Sequence, residues 1–368
     1  MRDVLSSLRE PRTSPQHPLH VAVLWQGMSG YFNACLRSLG ATGQVSLRVA
    51  YRAPVNDAPF DEAGFSRFAH EYRWRDKPNR ESLSALLGDE RLDAVLVCSW
   101  NEANYRAFLP ELGRQGTTRV LCMDNQWNGT PKQWLGRMTW RQYLRPYYDL
   151  VFLPGYRQLQ FARRLGFKRE HIMRGLYCAD TPAFTMPPAW EGERQKTFLF
   201  VGRLVPEKGL AILARAYSDY RRSVDDPWPL LIAGAGPQAR AFEGIPGVRL
   251  LGFLQPGLLP ATMWGATALL CPSLFEPWGV VVHEATAAGL IVVCSEAVGA
   301  GVHLVQDGYN GFIVPKSETS DLAQAMTALT HAEHSRLESM SRGSILLSKQ
   351  FSPERWAEYV LEMLAWRR

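Results

Sequence analysis

Long apolar runs are missing from this 368-residue sequence. No uninterrupted stretch approaches the ~20 residues that a membrane-spanning helix needs. The first twenty residues carry Arg2, Arg9 and Arg12 but no apolar block, so residues 1–18 are expected to form a loose tail and not a secretory signal. Cysteine is sparse: Cys35, Cys98, Cys122, Cys178, Cys271 and Cys294 are scattered, and no two form a C-x-x-C pair. That spacing argues against a disulfide framework or a zinc site and favours a reducing cytoplasm. Neither sign of charge dominates. The 41 Lys and Arg against 35 Asp and Glu leave a formal +6, which suits anionic substrates, an anionic membrane or nucleic acid without choosing among them.

What the sequence has is alternation. The length exceeds one ordinary core and fits two domains, and the 46% hydrophobic and 21% charged fractions are those of a globular chain. Residues 21–25 read as a strand, followed by a turn bearing Gly27 and Gly30 and a helix over 31–39. Further strands are expected at 45–51, 94–98, 119–123 and 150–153, with a helix at 82–87. Between 181 and 195 the rhythm lapses into Pro182, Pro187, Pro188 and Gly192, as expected of an interdomain linker. A second array then follows, with strands at 197–201, 230–233, 248–251, 268–271, 291–294 and 312–314. Helices are expected at 210–220 and 280–288, in two stretches across 321–347, and at 353–366. Two successive βα arrays imply an α/β protein with two Rossmann-like domains, whose parallel sheets face a cleft.

Two loops carry chemistry. In Val201-Gly202-Arg203-Leu204-Val205-Pro206-Glu207-Lys208-Gly209, two cations lie between a strand and a helix on a glycine-bounded loop. Gly202 lets backbone approach a ligand, and Arg203 and Lys208 can converge on one diphosphate. The alternative is a solvated loop with ordinary surface charges. In Phe275-Glu276-Pro277-Trp278-Gly279-Val280-Val281-Val282-His283-Glu284, a loop carboxylate is followed by a second two turns into a helix. Gly279 sits where bare N–H groups favour a phosphate. Glu276 can then reach sugar hydroxyls and Glu284 a ribose diol. As a plain surface acid Glu284 would sit oddly, because its neighbours are apolar and a carboxylate there needs a partner.

Both segments resemble the donor site of the retaining glycosyltransferase family 4, which has the GT-B fold. The resemblance rests on Glu-x7-Glu in a Phe-Glu-Pro-aromatic-Gly context and on the upstream Gly-Arg-x-x-x-x-Lys-Gly loop. Ile232-Ala233-Gly234-Ala235-Gly236-Pro237, Leu251-Gly252-Phe253 and Asp307-Gly308-Tyr309-Asn310-Gly311-Phe312 add to it. It covers roughly residues 196–330. In the first half only the Gly27/Gly30 loop and the βα rhythm are similar.

The resemblance implies a hexosyl transfer from a nucleotide sugar, a UDP- or GDP-sugar, to an acceptor hydroxyl with retention and without a metal or other cofactor. It implies a GT-B fold with residues 19–180 as the acceptor domain, 181–195 as linker and 196–350 as the donor domain. The segment 351–368 would be a helix crossing back to the first domain. Arg203 and Lys208 would neutralise the diphosphate, and Glu276 would hold the sugar. Gly279 and Val280, next to Trp278, would lie near the phosphates, and Glu284 would bind the ribose. Gly234, Gly236, Pro237 and Leu254 would flank the base, with Gly202 against the diphosphate and Gly27 and Gly30 approaching across the cleft. The favoured mechanism is front-side attack, in which the leaving phosphate takes the acceptor proton. No Asp-x-Asp triplet is present, consistent with metal independence. The sequence departs from the family in lacking a histidine between His70 and His171. Asp124 or Asn125, after a strand, either fills that position or simply forms a turn. His283 and His303 are expected to be structural.

Residues 132–169 interleave Trp134, Trp140, Tyr143, Tyr147 and Tyr148 with Arg137, Arg141, Arg145, Arg157, Arg163, Arg164, Lys168 and Arg169. That pattern suits a glycan or lipid-linked acceptor, the anionic inner face of a membrane, or nucleic acid. It equally suits a solvated basic helix with its aromatics turned to the core. The pathway expected is bacterial-type polysaccharide, lipopolysaccharide or glycolipid synthesis. An oxidoreductase is disfavoured because Gly234-Ala235-Gly236 lacks an acid ~20 residues on. A nucleotide-sugar epimerase or hydrolase, a DNA-modifying glycosyltransferase and a catalytically silent nucleotide-sugar binder stay open.

Overall fold

A computed structural model describes residues 17–53, 65, 67–98 and 100–365, apart from the Arg141 side chain. Residues 1–16 of the tail expected at 1–18 and the terminal Trp366-Arg367-Arg368 lie outside the described residues.

Among the described residues, thirteen strands form two sheets. Leu19–Leu24 (β1), Val45–Arg52 (β2), His70–Trp74 (β3), Ala94–Cys98 (β4), Thr118–Cys122 (β5), Leu150–Leu153 (β6) and Ile172–Arg174 (β7) make the first, in the order β3-β2-β1-β4-β5-β6-β7. Gln195–Val201 (β8), Leu230–Ala233 (β9), Val248–Gly252 (β10), Ala266–Cys271 (β11), Ile291–Ser295 (β12) and Gly311–Val314 (β13) make the second, in the order β10-β9-β8-β11-β12-β13. Every pairing is parallel. The inner strands are largely apolar, and β4, β6 and β9 wholly so, because helices cover both faces of such a sheet. β11 is buried at every position. The two strands absent from the sequence expectation, β3 and β7, lie at the edges of the first sheet. Their residues, His-Glu-Tyr-Arg-Trp and Ile-Met-Arg, carry the charge that edge strands tolerate, which hides them from a search for apolar runs.

The order of each sheet reverses direction beside its first strand, between β1 and β4 and between β8 and β11. Ligand crevices form at such points, beyond the carboxyl ends of the strands. The chain passes between the two sheets twice. Within 181–195, Thr181–Phe184 forms a helical turn before β8. After β13 and two helices, Pro353–Ala365 returns to the first sheet and packs on the helix Gly30–Ala41. Trp356, Ala357, Val360, Met363 and Leu364 form its buried stripe at helical spacing. Trp356 is 1% exposed, meets Phe32 and Phe152, and donates its Nε1–H to the Leu176 carbonyl at 3.0 Å. Two of the scattered cysteines also meet: the buried Cys35 and Cys178 sulfurs are 3.3 Å apart, and burial pushes the Cys35 thiol well up.

No helix among the described residues is long and apolar enough to cross a membrane.

Candidate active site

The loops after β8, β9 and β10 are tied into one surface by backbone hydrogen bonds that continue the sheet past its strands. Gly202 N–H donates to Ala233 O at 3.0 Å, Leu204 N–H to Ala235 O at 2.8 Å, and Gly234 N–H to Gly252 O at 2.7 Å. A Cβ on Gly234 would lie 1.8 Å from the Gly202 carbonyl oxygen. Only glycine allows this approach of one loop to the next. Gly234 therefore has a packing requirement of its own, besides the base-flanking role expected for it. Gly236, Pro237 and Gly252 are exposed along this rim, and Leu254 is half-buried beside it.

The cation loop and the carboxylate loop are joined next. The Glu207 carbonyl accepts from Leu274 N–H at 2.8 Å and from Phe275 N–H at 3.3 Å, stitching residues 203–208 to the segment after β11. Lys208 and Glu276 meet there as an ion pair, both side chains largely shielded from water. Arg203 stands apart from this pair. It is exposed and lies 3.6 Å from Glu207, a solvent-facing contact worth little.

The first sheet brings Asp124 to the same place. Asp124 follows β5 and accepts from the Tyr177 hydroxyl at 3.4 Å. Burial raises its carboxyl pKa, and the nearby charge of Glu276 adds to the rise. Tyr31, directly after Gly30, packs edge-on to Tyr177 with ring centroids 5.8 Å apart. Asp124, Lys208 and Glu276 thus converge from both sheets, and Tyr31 brings the end of the Gly27–Gly30 turn close to Asp124. Gly27 itself is exposed, with open space where a Cβ would point.

Two glutamines lock this seam, and neither belongs to a recognisable motif. The Gln126 Nε2 donates to Glu276 O at 3.2 Å and to Pro277 O at 2.9 Å. The Gln158 Nε2 donates to Pro277 O at 2.6 Å and to Asp124 O at 3.3 Å. Both side chains are buried, so their amides satisfy carbonyls that water does not reach. Glutamine is a common surface residue, and nothing in its sequence context marks it as an interdomain donor.

Gly279, with φ 90°, caps the helix Val280–Ala287 and is buried. Trp278, expected among the donor contacts, has its side chain buried by packing. It is 2% exposed, with its indole against His303 and Phe351 at centroid distances of 5.6 and 5.7 Å. A Cβ on Gly155, from the first half, would lie 2.7 Å from the indole edge and 2.6 Å from the His303 ring. Trp278 therefore packs the domain seam. His303 Nε2 accepts from Tyr156 N–H at 3.1 Å in the same contact, and burial lowers its pKa.

Glu284 lies little more than one turn into the helix Val280–Ala287, not the two turns expected, and is half-buried. Burial raises its carboxyl to about 7, with the negative charge of Asp180 adding to the effect. Asp180 lies on the first crossing between the sheets, where Arg37 holds it at 3.2 Å. His283, next to Glu284, is fully buried between Ala179 N–H and Ser348 O, at 2.8 and 3.0 Å.

The aromatic residues of 132–169 divide between core and solvent. Trp140 and Tyr148 are buried, whereas Trp134, Leu135, Met138 and Tyr143 on the helix Pro131–Tyr143 are 52, 64, 77 and 68% exposed. Arg137 lies over the Trp134 ring at 5.4 Å, and Arg164 over Trp127 at 4.8 Å.

The fold is GT-B, two parallel-sheet Rossmann-like units meeting across a seam. Residues 186–344, under half of the chain, match the family model described as glycosyl transferases group 1. A phosphatidyl-myo-inositol mannosyltransferase of Mycobacterium leprae is 36% identical over 140 residues, covering 36% of this chain and 37% of that one. The chain thus spans little more than a third of the length of the first curated relatives it matches. Among solved structures, Anabaena HepE in complex with UDP superposes with a TM-score of 0.70 at 17% identity, over 94% of this chain and 100% of that one. Sucrose-phosphate synthase of Thermosynechococcus elongatus does so at 0.69 and 16%, over 94% and 98%. At that identity the likeness is one of fold.

Proposed function

We propose that this chain is a retaining, metal-independent glycosyltransferase that moves a hexosyl group from a nucleotide sugar to an acceptor hydroxyl. The observation that carries the proposal is the Lys208–Glu276 pair facing Asp124 at the meeting of the two sheets. An ammonium and a carboxylate at the carboxyl ends of parallel strands, shielded from water, suit a diphosphate and a sugar held side by side. The matched glycosyl transferases group 1 segment contains both residues, and the HepE structures hold UDP and UDP-glucose, which favours a UDP-sugar over a GDP-sugar.

When the donor binds, Lys208 exchanges part of its pairing with Glu276 for the diphosphate. Arg203, exposed and only weakly engaged by Glu207, turns onto the same phosphates. The glycine-bounded turn at Gly202, the helix start at Gly279 and Val280 and the Gly27–Gly30 turn approach them through backbone. Glu276 then accepts hydrogen bonds from sugar hydroxyls. Glu284, whose carboxyl titrates near neutrality, can accept from or donate to the ribose diol. The base lies along the rim of Gly234, Gly236, Pro237 and Leu254.

In the transfer, the acceptor oxygen bonds to the anomeric carbon on the face the diphosphate leaves. The bond from that carbon to the diphosphate oxygen breaks, and the hydroxyl proton passes to the departing phosphate. Arg203 and Lys208 stabilise the charge that develops there, in place of a metal. Asp124 orients the acceptor hydroxyl or a donor sugar hydroxyl from the opposite side, in the position where family members carry a histidine.

The acceptor domain is the first half, residues 19–180, and the donor domain is 196–350. The acceptor is a glycan or lipid-linked sugar of bacterial-type polysaccharide, lipopolysaccharide or glycolipid synthesis. The enzyme acts from the cytoplasm at the anionic inner membrane face. Support for that location comes from the exposed Trp134, Leu135 and Met138, and from nine Lys and Arg against the one carboxylate of Asp149 in residues 125–169.

A thermal-shift panel of UDP-, GDP-, ADP- and dTDP-sugars tests the reading. A selective rise with one nucleotide class, together with slow donor hydrolysis lost in Lys208→Ala, is expected. No stabilisation by any of the four rejects it.

A further inference from the structure

We propose that a cavity between the two domains, beside the Glu276 loop, is the acceptor subsite and is built for a sugar that carries a phosphate. This inference rests on the glycosyltransferase reading above. The cavity has a volume of about 230 Å³, enough for one monosaccharide unit at its mouth, and its lining includes Gln126, Asn128, Arg157, Phe275, Glu296 and Lys316.

Topology separates this space from the proposed nucleotide rim. Gln126 and Asn128 follow β5, and Arg157 follows β6. Phe275, Glu296 and Lys316 follow β11, β12 and β13, so the cavity lies over the carboxyl ends of five parallel strands. The loops after β8, β9 and β10 lie on the other side of β11 in the sheet order. Glu276 stands between the two spaces, directly after Phe275. A ligand in the cavity is thus beside the transferred sugar, not in the seat of the base.

The lining has three kinds of group, and together they describe the ligand. Phe275 is 43% exposed, a large apolar ring facing water beside Leu274. Such a ring suits the C–H face of a pyranose. Glu296, Gln126 and Asn128 offer acceptors and donors for hydroxyls. Arg157 and Lys316 supply two cations, from one domain each. Arg157 already donates to the Glu296 carbonyl, which fixes its guanidinium at the cavity wall. Lys316 is exposed, and its backbone N–H meets the Glu296 carboxylate at 3.5 Å. The next residue, Ser317, has φ 72° and is the one non-glycine among the described residues in the left-handed region. A left-handed serine is costly and persists where surroundings hold it, and here it sets the turn that carries Lys316. One forked and one compact cation around an oxyanion is the arrangement that holds a phosphate ester.

The test uses the full chain with UDP present, and measures binding of glucose 6-phosphate, of glucose and of a short-prenyl diphosphate-linked glucose in detergent. Both phosphorylated sugars are expected to bind, and glucose to bind at least tenfold more weakly. Lys316→Glu is expected to lower affinity for the phosphorylated sugars tenfold or more, and its unliganded melting temperature reports that it has folded. Sensitivity of only the prenyl-linked sugar to that substitution assigns the phosphate to a lipid carrier. Sensitivity of only glucose 6-phosphate assigns it to a free sugar phosphate. Phosphorylated sugars that bind no better than glucose, or no response to Lys316→Glu, overturn the proposal. Where UDP fails to bind, the nucleotide that stabilises the chain in the four-sugar panel takes its place; failure of all four rejects the glycosyltransferase reading, and the phosphorylated-sugar measurements then judge the cavity separately.

Discussion

The Nδ1 of His283 accepts a hydrogen bond from the backbone N–H of Ala179 at 2.8 Å, so a residue of the second half grips the segment that leaves the first half. With Nδ1 accepting, the ring proton sits on Nε2 and points at the Ser348 carbonyl, 3.0 Å away. The imidazole is therefore neutral and doubly satisfied, and protonating it would turn the Ala179 contact into two opposed donors.

Burial accordingly lowers the His283 pKa from 6.5 to about 4. A histidine held neutral in the folded state contributes stability that is complete above its unfolded pKa and is lost as pH falls from about 6.5 towards 4. The loss is about 3 kcal/mol at most. Glu284, raised to about 7, acts in the opposite sense, costing stability as pH rises from 4.5 to 7. Urea melts across that range should show a shallow net dependence in the wild type. Glu284→Gln should leave the acid-side loss of His283 visible and gain roughly 1–3 kcal/mol at pH 8. A Glu284→Gln profile as flat as the wild type would contradict both assignments.

Lys208→Ala removes the cation paired with Glu276 and proposed to meet the diphosphate. Transfer should fall by roughly 10²–10³-fold in kcat, as expected when a charge-stabilising donor is lost from a shielded site. Lys208→Arg should recover part of it. Steady-state kinetics with the donor identified by thermal shift decides the matter, and a change confined to KM would show that Lys208 binds without stabilising the transition state.

Gly155→Ala would drive a methyl group into His303 and Trp278, where both contacts fall below 3 Å. The seam must give way, at a cost of about 1–3 kcal/mol. A lower melting temperature and a larger radius of gyration by small-angle scattering are the expected readouts. An unchanged radius with a lowered melting temperature would place the strain within one domain instead.

The exposed Trp134, Leu135 and Met138 predict binding to vesicles containing anionic lipid. Replacing Trp134 and Met138 together by Ser should cut co-sedimentation several-fold without changing the melting temperature, because both side chains already face water. Binding that is indifferent to anionic lipid, or to the double substitution, would remove the membrane from the functional reading.

The inner strands were legible in the sequence because a strand buried on both faces must be largely apolar, as β11 and β12 are apart from Thr267 and Ser295. The candidate site was legible where its residues share a loop. Lys208 and Glu276 stand out because each follows a strand in a glycine-bearing segment. Trp278 stands out in the same way. It lies in the motif, but packing turns its indole into the seam. Gln126 and Gln158 left no trace, since an amide becomes a seam donor only when a partner carbonyl from another domain is placed before it.

By itself, then, the sequence determined what depends on neighbours along the chain: the alternation of strands and helices, the two arrays and the loops rich in glycine and charge. Tertiary structure decided which of those loops touch. It put Asp124 near Glu276 and Glu284 near Asp180, left Arg203 in solvent and returned the last helix to the first sheet. The physical reason is that apolar periodicity specifies burial but not partner. The partner is chosen only when two sheets pack and each buried polar group must find another.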